Sequence, residues 1–292
     1  MIYIKSLRLP SELREIKFIE DLKQTFYHTV YPFKIFPEKR LDRVAFDGIT
    51  LLYGGNGSGK STLLNVLARK MQATRYADFN DSPFFDTFVD MCTLEYEKIP
   101  KRSFVLTSDD VFDYTLNARS VNEDLADRRN ALLREYIAVH HGNLSSPETA
   151  RLHGLDDSER RKEIREILSP KHTQSAFIRK RVERSIDLHS NGETAMQYFV
   201  ERIDEDAVYF LDEPENSLSI KLQIELAEYI EATARATRSQ FIIATHSPIF
   251  LSMKNSLIYD LDAFPASTAS WTELPNVRRY FDFFMEHRDE FL

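Results

Sequence analysis

The stretch GGNGSGKS, Gly54 to Ser61, constrains this chain more than any other. It fits G-x-x-x-x-G-K-[ST] in full, with the short apolar run Ile49–Tyr53 before it and a helical-looking stretch after it. A glycine-rich turn matching by chance would need neither flank. Glycines let a backbone wrap a phosphate chain with its N–H groups pointing inward, and the positive end of the following helix adds to the attraction. The expected phosphate-binding residues are therefore Gly54, Gly55, Asn56, Gly57, Ser58, Gly59, Lys60, Ser61 and Thr62. Lys60 would reach the β- and γ-phosphates, and the Ser61 hydroxyl would bind Mg²⁺.

The same rhythm returns later in the chain. AVYFLDE and QFIIATHS read as buried strands, and SIKLQIELAEYIEATAR between them as an amphipathic helix. Alternating strand and helix predict an α/β domain with a mostly parallel sheet flanked by helices. MIYIKSLRL at the start alternates well enough to be a strand, and Met196, Phe199, Val200 and Ile203 repeat at helical spacing. From about 75 to 188 the text is irregular and polar, with a strand signal at SFVLTS and charged helical stretches such as EDLADRRNALLREYIAVHH and DSERRKEIREIL. The expectation is one domain, 1–292, carrying a helical insertion over approximately 75–188.

In an open α/β sheet, ligands bind at the carboxyl ends of the strands. Two acids, Asp212 and Glu213, stand where the run AVYFL ends. Asp212 is suited to hold Mg²⁺, directly or through water, and Glu213 to orient and deprotonate an attacking water. Adjacent acids after a strand can also be a simple turn into PEN; the upstream phosphate loop favours the catalytic reading. His246 ends the third such strand. A histidine beside proline is ordinarily structural, but at this edge it could hydrogen-bond a γ-phosphate.

The chain has 38 basic against 46 acidic residues, a net charge of −8, which argues against a protein that coats nucleic acid generally. With 42% hydrophobic residues it can build a real core. One cysteine, Cys92, excludes an intrachain disulfide and fits a reducing, cytoplasmic setting. The start has no signal-peptide pattern, and the longest apolar stretch, FIIATHSPIFL, is too short to span a bilayer, so no membrane role is expected.

Together GGNGSGKST, SNGE, YFLDEPEN and ATHS stand in the order and spacing of the ATP-binding-cassette (ABC) class of P-loop ATPases, which the chain resembles. More narrowly it is similar to small stand-alone bacterial proteins labelled "predicted ATPase, AAA family", which look like cut-down SMC- and RecF-type heads. The likeness runs over the whole chain. It implies a P-loop NTPase fold of the ABC-head type, ATP and Mg²⁺ as cofactors, and a homodimer that sandwiches two ATP molecules. Each site would take Lys60, Ser61, Asp212, Glu213 and His246 from one copy and Ser190 with Gly192 from the other. The same Ser190–Glu193 stretch is also a helix capping box, and a helix start is where a phosphate is welcome.

The departures from that pattern are specific. His189 and Asn191 flank Ser190 where transporters carry leucine and glycine, and Ser219 stands where an aspartate is usual. No glutamine marks the Mg²⁺-sensing loop, for which Asp109 or Asp110 is the substitute expected by position. Tyr31 or Phe33 are candidates to stack on adenine.

The partner is less constrained. There are no sustained heptads and no CxxC hook between Lys60 and Ser190, which argues against an SMC protein. A hexameric AAA+ motor would need an arginine finger and a C-terminal helical lid, which is not expected of a sequence that stops soon after the histidine strand. Arg151 to Arg184 carries ten Lys/Arg against six Asp/Glu, a local surplus that would suit DNA, though a solvated helix face with internal ion pairs is the favoured account of it. The leading expectation is a Mg²⁺-dependent ATPase of the ABC type whose head dimer serves DNA repair or phage defence. The alternative is an ATP-driven dimerising module that recruits a separately encoded effector with little turnover.

Overall fold

The computed structural model describes residues 2–22, 29–140, 142–143, 147–168, 191–203 and 206–292. They fall into two compact units, Met1–Phe112 with Asn191–Leu292, and Asp113–Ser190. In chain order the elements are β1 (Ile4–Arg8), α1 (Glu12–Asp21), β2 (Arg43–Ala45), β3 (Ile49–Tyr53), α2 (Lys60–Lys70), α3 (Phe85–Met91), β4 (Thr93–Tyr96), β5 (Arg102–Thr107) and α4 (Ser108–His140). Then follow α5 (Ala150–His153), α6 (Asp157–Ile167), α7 (Asn191–Arg202), β6 (Ala207–Asp212), α8 (Ile220–Ala236) and β7 (Gln240–Thr245). The chain continues through α9 (Pro248–Leu251), β8 (Leu257–Asp260), β9 (Ser267–Thr268) and α10 (Pro275–Glu286).

The first unit is built on a six-stranded sheet of order β5-β6-β7-β3-β8-β9, parallel except for the edge strand β9. The α/β, mostly parallel fold read from the sequence is the one found. The inner strands β3, β6 and β7 are covered on both faces, so their residues are apolar at nearly every position and almost all buried. Register is tight at the carboxyl edge, where Thr107 pairs with Asp212, Asp212 with Ala244, and Tyr53 with both Thr245 and Asp260. A second sheet, β2-β1-β4, is antiparallel. Gln240 ties the two sheets together, accepting from the Tyr3 and Ile4 amides at 2.9 Å and donating to the Ile4 and Asp47 carbonyls at 3.0 Å.

Helix α2 is buried along nearly its whole length, from Lys60 through Ala68, as a central helix hydrophobic on several faces must be. Its Leu63, Leu64, Val66 and Leu67 join Phe85, Phe88 and Phe36 in the main core. Residues 75–112, assigned to the insertion by sequence, lie with the first unit, because β5 pairs with β6 and α3 packs on α2. In α7 the buried stripe is Ala195, Tyr198, Phe199 and Ile203, while Val200 is exposed.

The second unit has its own small core of Leu132, Val139, Leu152 and Ile167. Asp156 caps α6, accepting from the Ser158 and Glu159 amides at 2.9 and 2.8 Å. No helix among the described residues is long and apolar enough to cross a membrane.

Candidate functional site

The phosphate loop joins β3 to α2 through glycines that the geometry requires. Gly54 has φ 155°, and a Cβ there would lie 2.5 Å from Ser58 Oγ. Gly59, at φ 92°, would place one 3.0 Å from Ile35. Only a residue without a side chain follows such a path cheaply. Ser58 Oγ is buried and has no hydrogen-bond partner. Lys60 is almost fully buried, and its Nζ donates to the Gly54 and Gly55 carbonyls at 2.8 and 3.1 Å. The loop is thus curled back on its own lysine.

The two other strand ends arrive beside it. Ser61 Oγ donates to Asp212 Oδ1 at 2.9 Å, across 151 residues of sequence. Lys60 Nζ lies 3.5 Å from Glu213 Oε1, and His246 Nδ1 lies 3.8 Å from the same oxygen. Glu213 turns off its strand in the left-handed region, φ 47°, with its N–H bonded to the Ala244 carbonyl at 2.9 Å. That turn carries its carboxylate toward Lys60 and out of the strand line. Lys60, Ser61, Asp212, Glu213 and His246 are therefore brought into one cluster by the register of β3, β7 and β6.

Burial pushes the Asp212 carboxyl up to about 6. The Ser61 hydrogen bond and the Lys60 charge oppose this, while the charges of Glu213 and Glu215 add to it. Such a carboxylate, with a hydroxyl beside it, is a hard-oxygen pair suited to Mg²⁺, which characteristically takes one or two protein oxygens and completes its shell with phosphate and water. Among the described residues no group of three or more His, Cys, Asp or Glu could hold a metal by itself.

A cleft of about 470 Å³ opens beside this cluster, lined by Ser61, Thr62, Asp212, Glu213, Asp109 and Tyr31 among others. The two aspartates named as Mg²⁺-loop substitutes separate here. Asp110 is buried and committed to backbone, accepting from the Thr107 and Ala77 amides at 2.8 Å, whereas Asp109 faces the cleft. The two aromatic candidates separate as well. Phe33 is a core residue stacked on Phe18 at 4.7 Å, and Tyr31 donates its hydroxyl to Thr62 at 3.1 Å on the β5–β6 side of the cleft.

Of the candidates from the signature stretch, Ser190 and its neighbour His189 lie outside the described residues. Gly192 is in the first turn of α7, where a Cβ would come within 2.7 Å of Leu222 on α8. Its smallness has a local reason: it lets α7 and α8 pack. In the basic stretch, Arg151 is paired bidentately with Glu135 at 2.9 and 2.6 Å, and Arg160 donates to the carbonyls of Leu152, His153 and Leu155. Arg161, Lys162 and Arg165 are exposed, and 169–184 lies outside the described residues.

Two residues of the site had no motif to announce them. Glu215 is buried beneath the histidine turn, where one of its oxygens accepts from Thr245 Oγ1 at 2.6 Å, from the His246 amide at 2.9 Å and from the Ser247 amide at 3.2 Å. Its only sequence signal was a third acid in DEPE. Asp262, two residues after β8, accepts from the Gly55 amide at 2.7 Å and so fastens the phosphate loop from the other side.

A glycine loop, a buried lysine and two strand-end acids on a parallel sheet define the P-loop ATPase class, here of the ABC/SMC-like type. Within that class, the chain belongs to the family described as "AAA domain, putative AbiEii toxin, Type IV TA system", whose model matches residues 94–252. The matched span contains Gly192, Asp212, Glu213 and His246, and starts after the phosphate loop. A curated relative, an uncharacterized ABC transporter ATP-binding protein/permease of Saccharomyces cerevisiae, is 26% identical over 204 residues. That alignment covers 68% of this chain but 14% of the yeast protein, so the chain spans about a seventh of its relative.

Among solved structures, the Smc head domain of Pyrococcus furiosus bound to the C-terminal domain of ScpA is similar at 16% identity and a TM-score of 0.38, covering 99% of this chain and 100% of that one. A nucleotide-free ATP-binding cassette from an ABC transporter is similar at 13% identity and a TM-score of 0.39, covering 96% and 99%. At such scores neither bears on what this chain does.

Proposed function

We propose that the protein binds ATP with Mg²⁺ and hydrolyses it in the cytoplasm as a homodimer that closes around two nucleotides. The observation that carries the reading is the convergence of Lys60, Ser61, Asp212, Glu213 and His246 at one sheet edge, with Ser61 and Asp212 already 2.9 Å apart. In this mechanism the amides of Gly57 and of Gly59 to Thr62 bind the phosphate chain, the Gly55 amide being held by Asp262, and Lys60 exchanges its carbonyl partners for phosphate oxygens. Ser61 and Asp212 would hold Mg²⁺, which would supply neutralisation of phosphate charge. Glu213 orients a water and accepts its proton, and His246 donates to the terminal phosphate.

The partner copy's contribution is Ser190 and Gly192, the latter in the first turn of α7. For the wider role, DNA repair or phage defence are the branches considered. The family description carries the name of a Type IV toxin–antitoxin system, which favours defence. DNA is the proposed stimulus, through the exposed Arg161, Lys162 and Arg165 rather than Arg151 or Arg160, which are spent inside their own unit.

Steady-state phosphate release is the test. Turnover that rises with protein concentration and with DNA is expected, and Glu213→Gln should bind ATP, lose turnover by two or more orders of magnitude and accumulate as closed dimer. Near-zero wild-type turnover with ATP-dependent dimers would replace hydrolysis by a regulatory module for a separate effector. Ordinary turnover in Glu213→Gln would remove Glu213 as the base.

A further inference from the structure

We propose that Phe264, with Arg40 laid against its ring, is the platform on which the nucleobase of the bound nucleotide stacks; the proposal rests on the nucleotide reading above. Direction comes first. Strand β3 carries the phosphate loop between β7 on one flank and β8 on the other. Asp212, Glu213 and His246 all belong to β6 and β7, so a polyphosphate whose terminal group faces them extends its nucleoside end toward β8.

What stands on that flank is the loop Leu261–Ala266, and it is fastened to the phosphate loop at several points. The Leu261 amide donates to the Tyr53 carbonyl at 2.9 Å, and Asp262 takes the Gly55 amide at 2.7 Å. Asp260 holds the bend by accepting from the Asp262 and Ala263 amides at 2.9 and 3.1 Å. The turn bearing Arg40 is attached to the same loop, through Lys39 Nζ to the Leu261 carbonyl at 2.6 Å and the Ala266 amide to the Lys39 carbonyl at 2.9 Å. Phosphate loop, Arg40 turn and the loop bearing Phe264 are therefore joined by hydrogen bonds.

Phe264 is two residues from the carboxylate that touches Gly55, so their Cα atoms are at most about 7 Å apart. Its ring is 67% exposed, an unusual placement for a phenylalanine tethered by so many bonds, and the Arg40 guanidinium carbon lies 4.9 Å from its centroid. An aromatic face with a guanidinium beside it attracts purine rings by stacking and cation–π contact without reading base edges. The aromatics upstream of the phosphate loop are occupied otherwise: Phe33 is in the core, and Tyr31 donates its hydroxyl to Thr62 in the cleft it shares with Asp212 and Glu213.

The test is equilibrium binding, with Mg²⁺ present, of ATP and of inorganic tripolyphosphate to wild type, Phe264→Ala and Phe264→Trp, each checked for an unchanged melting temperature. Phe264→Ala should bind ATP about tenfold more weakly while holding tripolyphosphate as wild type does. Phe264→Trp should keep ATP affinity and gain an indole emission that ATP changes and tripolyphosphate does not. Equal ATP affinity in wild type and Phe264→Ala overturns the platform alone. Parallel loss of both ligands also overturns it, since the ring would then only support the loop. If wild type binds neither ligand, the nucleotide reading fails and the platform with it.

Discussion

Asp212 is where charge, burial and pH meet. Its carboxyl is pushed up to about 6 from an ordinary 3.8, first by burial and then by the neighbouring carboxylates. Between those two values the folded protein keeps a proton that the unfolded chain has released. Stability therefore falls as pH rises from about 4 to about 6, and the full cost is present above that window. Asp212→Asn should raise the stability of the nucleotide-free protein at pH 7.5 by roughly 1–3 kcal/mol and flatten that slope, as thermal melts across pH would show. A protonated Asp212 is also a poor Mg²⁺ ligand. The gain in melting temperature on adding Mg²⁺ with ATP should accordingly shrink as pH is lowered from 7 to 5.

At the scale of elements, the phosphate loop and the histidine turn depend on opposite devices. The loop depends on missing side chains: Gly54→Ala sets a Cβ against Ser58 and forces φ 155° on a residue that resists it, at about 1–3 kcal/mol. ATP affinity should fall far more than stability does, measured on the same sample. The turn depends on one added carboxylate. Glu215→Ala strips the acceptor from the Thr245 hydroxyl and the His246 amide and one of two acceptors from the Ser247 amide, and should cost about 3 kcal/mol and lower turnover by misplacing His246.

These elements also mark how far the sequence could be read. Strands β3, β6 and β7 were legible because strands buried on both faces are apolar throughout and end at Gly54, Asp212 and His246. Sheet β2-β1-β4 was not, since β2 has three residues and β4 is largely exposed, and neither leaves a period to detect. The cluster at Lys60 and Glu213 was legible through motif spacing. Glu215 and Asp262 act by gripping backbone amides, which any acid at the right point in space can do, so nothing in the local text marks them. The choice between Asp109 and Asp110 likewise turned on which carboxylate the Thr107 and Ala77 amides take.

For the whole molecule, the dimer proposal makes its own demand. Mixing Lys60→Ala with Ser190→Ala should regenerate turnover that neither protein has alone, because one site of the mixed dimer then has intact residues from both copies. Mixtures as inactive as their parents would count against a site shared in trans. The single cysteine supplies a global reporter. Cys92 is buried in the first unit, with its thiol pushed up to about 12 by burial, so thiol reagents should label it only when that unit opens. Labelling should slow when ATP with Mg²⁺ is added.

The 3.5 Å pair between Lys60 and Glu213 ties together two of the roles proposed above. The cation that greets an incoming phosphate is the same one that restrains the proposed base, and it cannot fully serve both. Under the proposed mechanism, loading and arming would be a single event, with Glu213 freed to handle water as a phosphate draws Lys60 away.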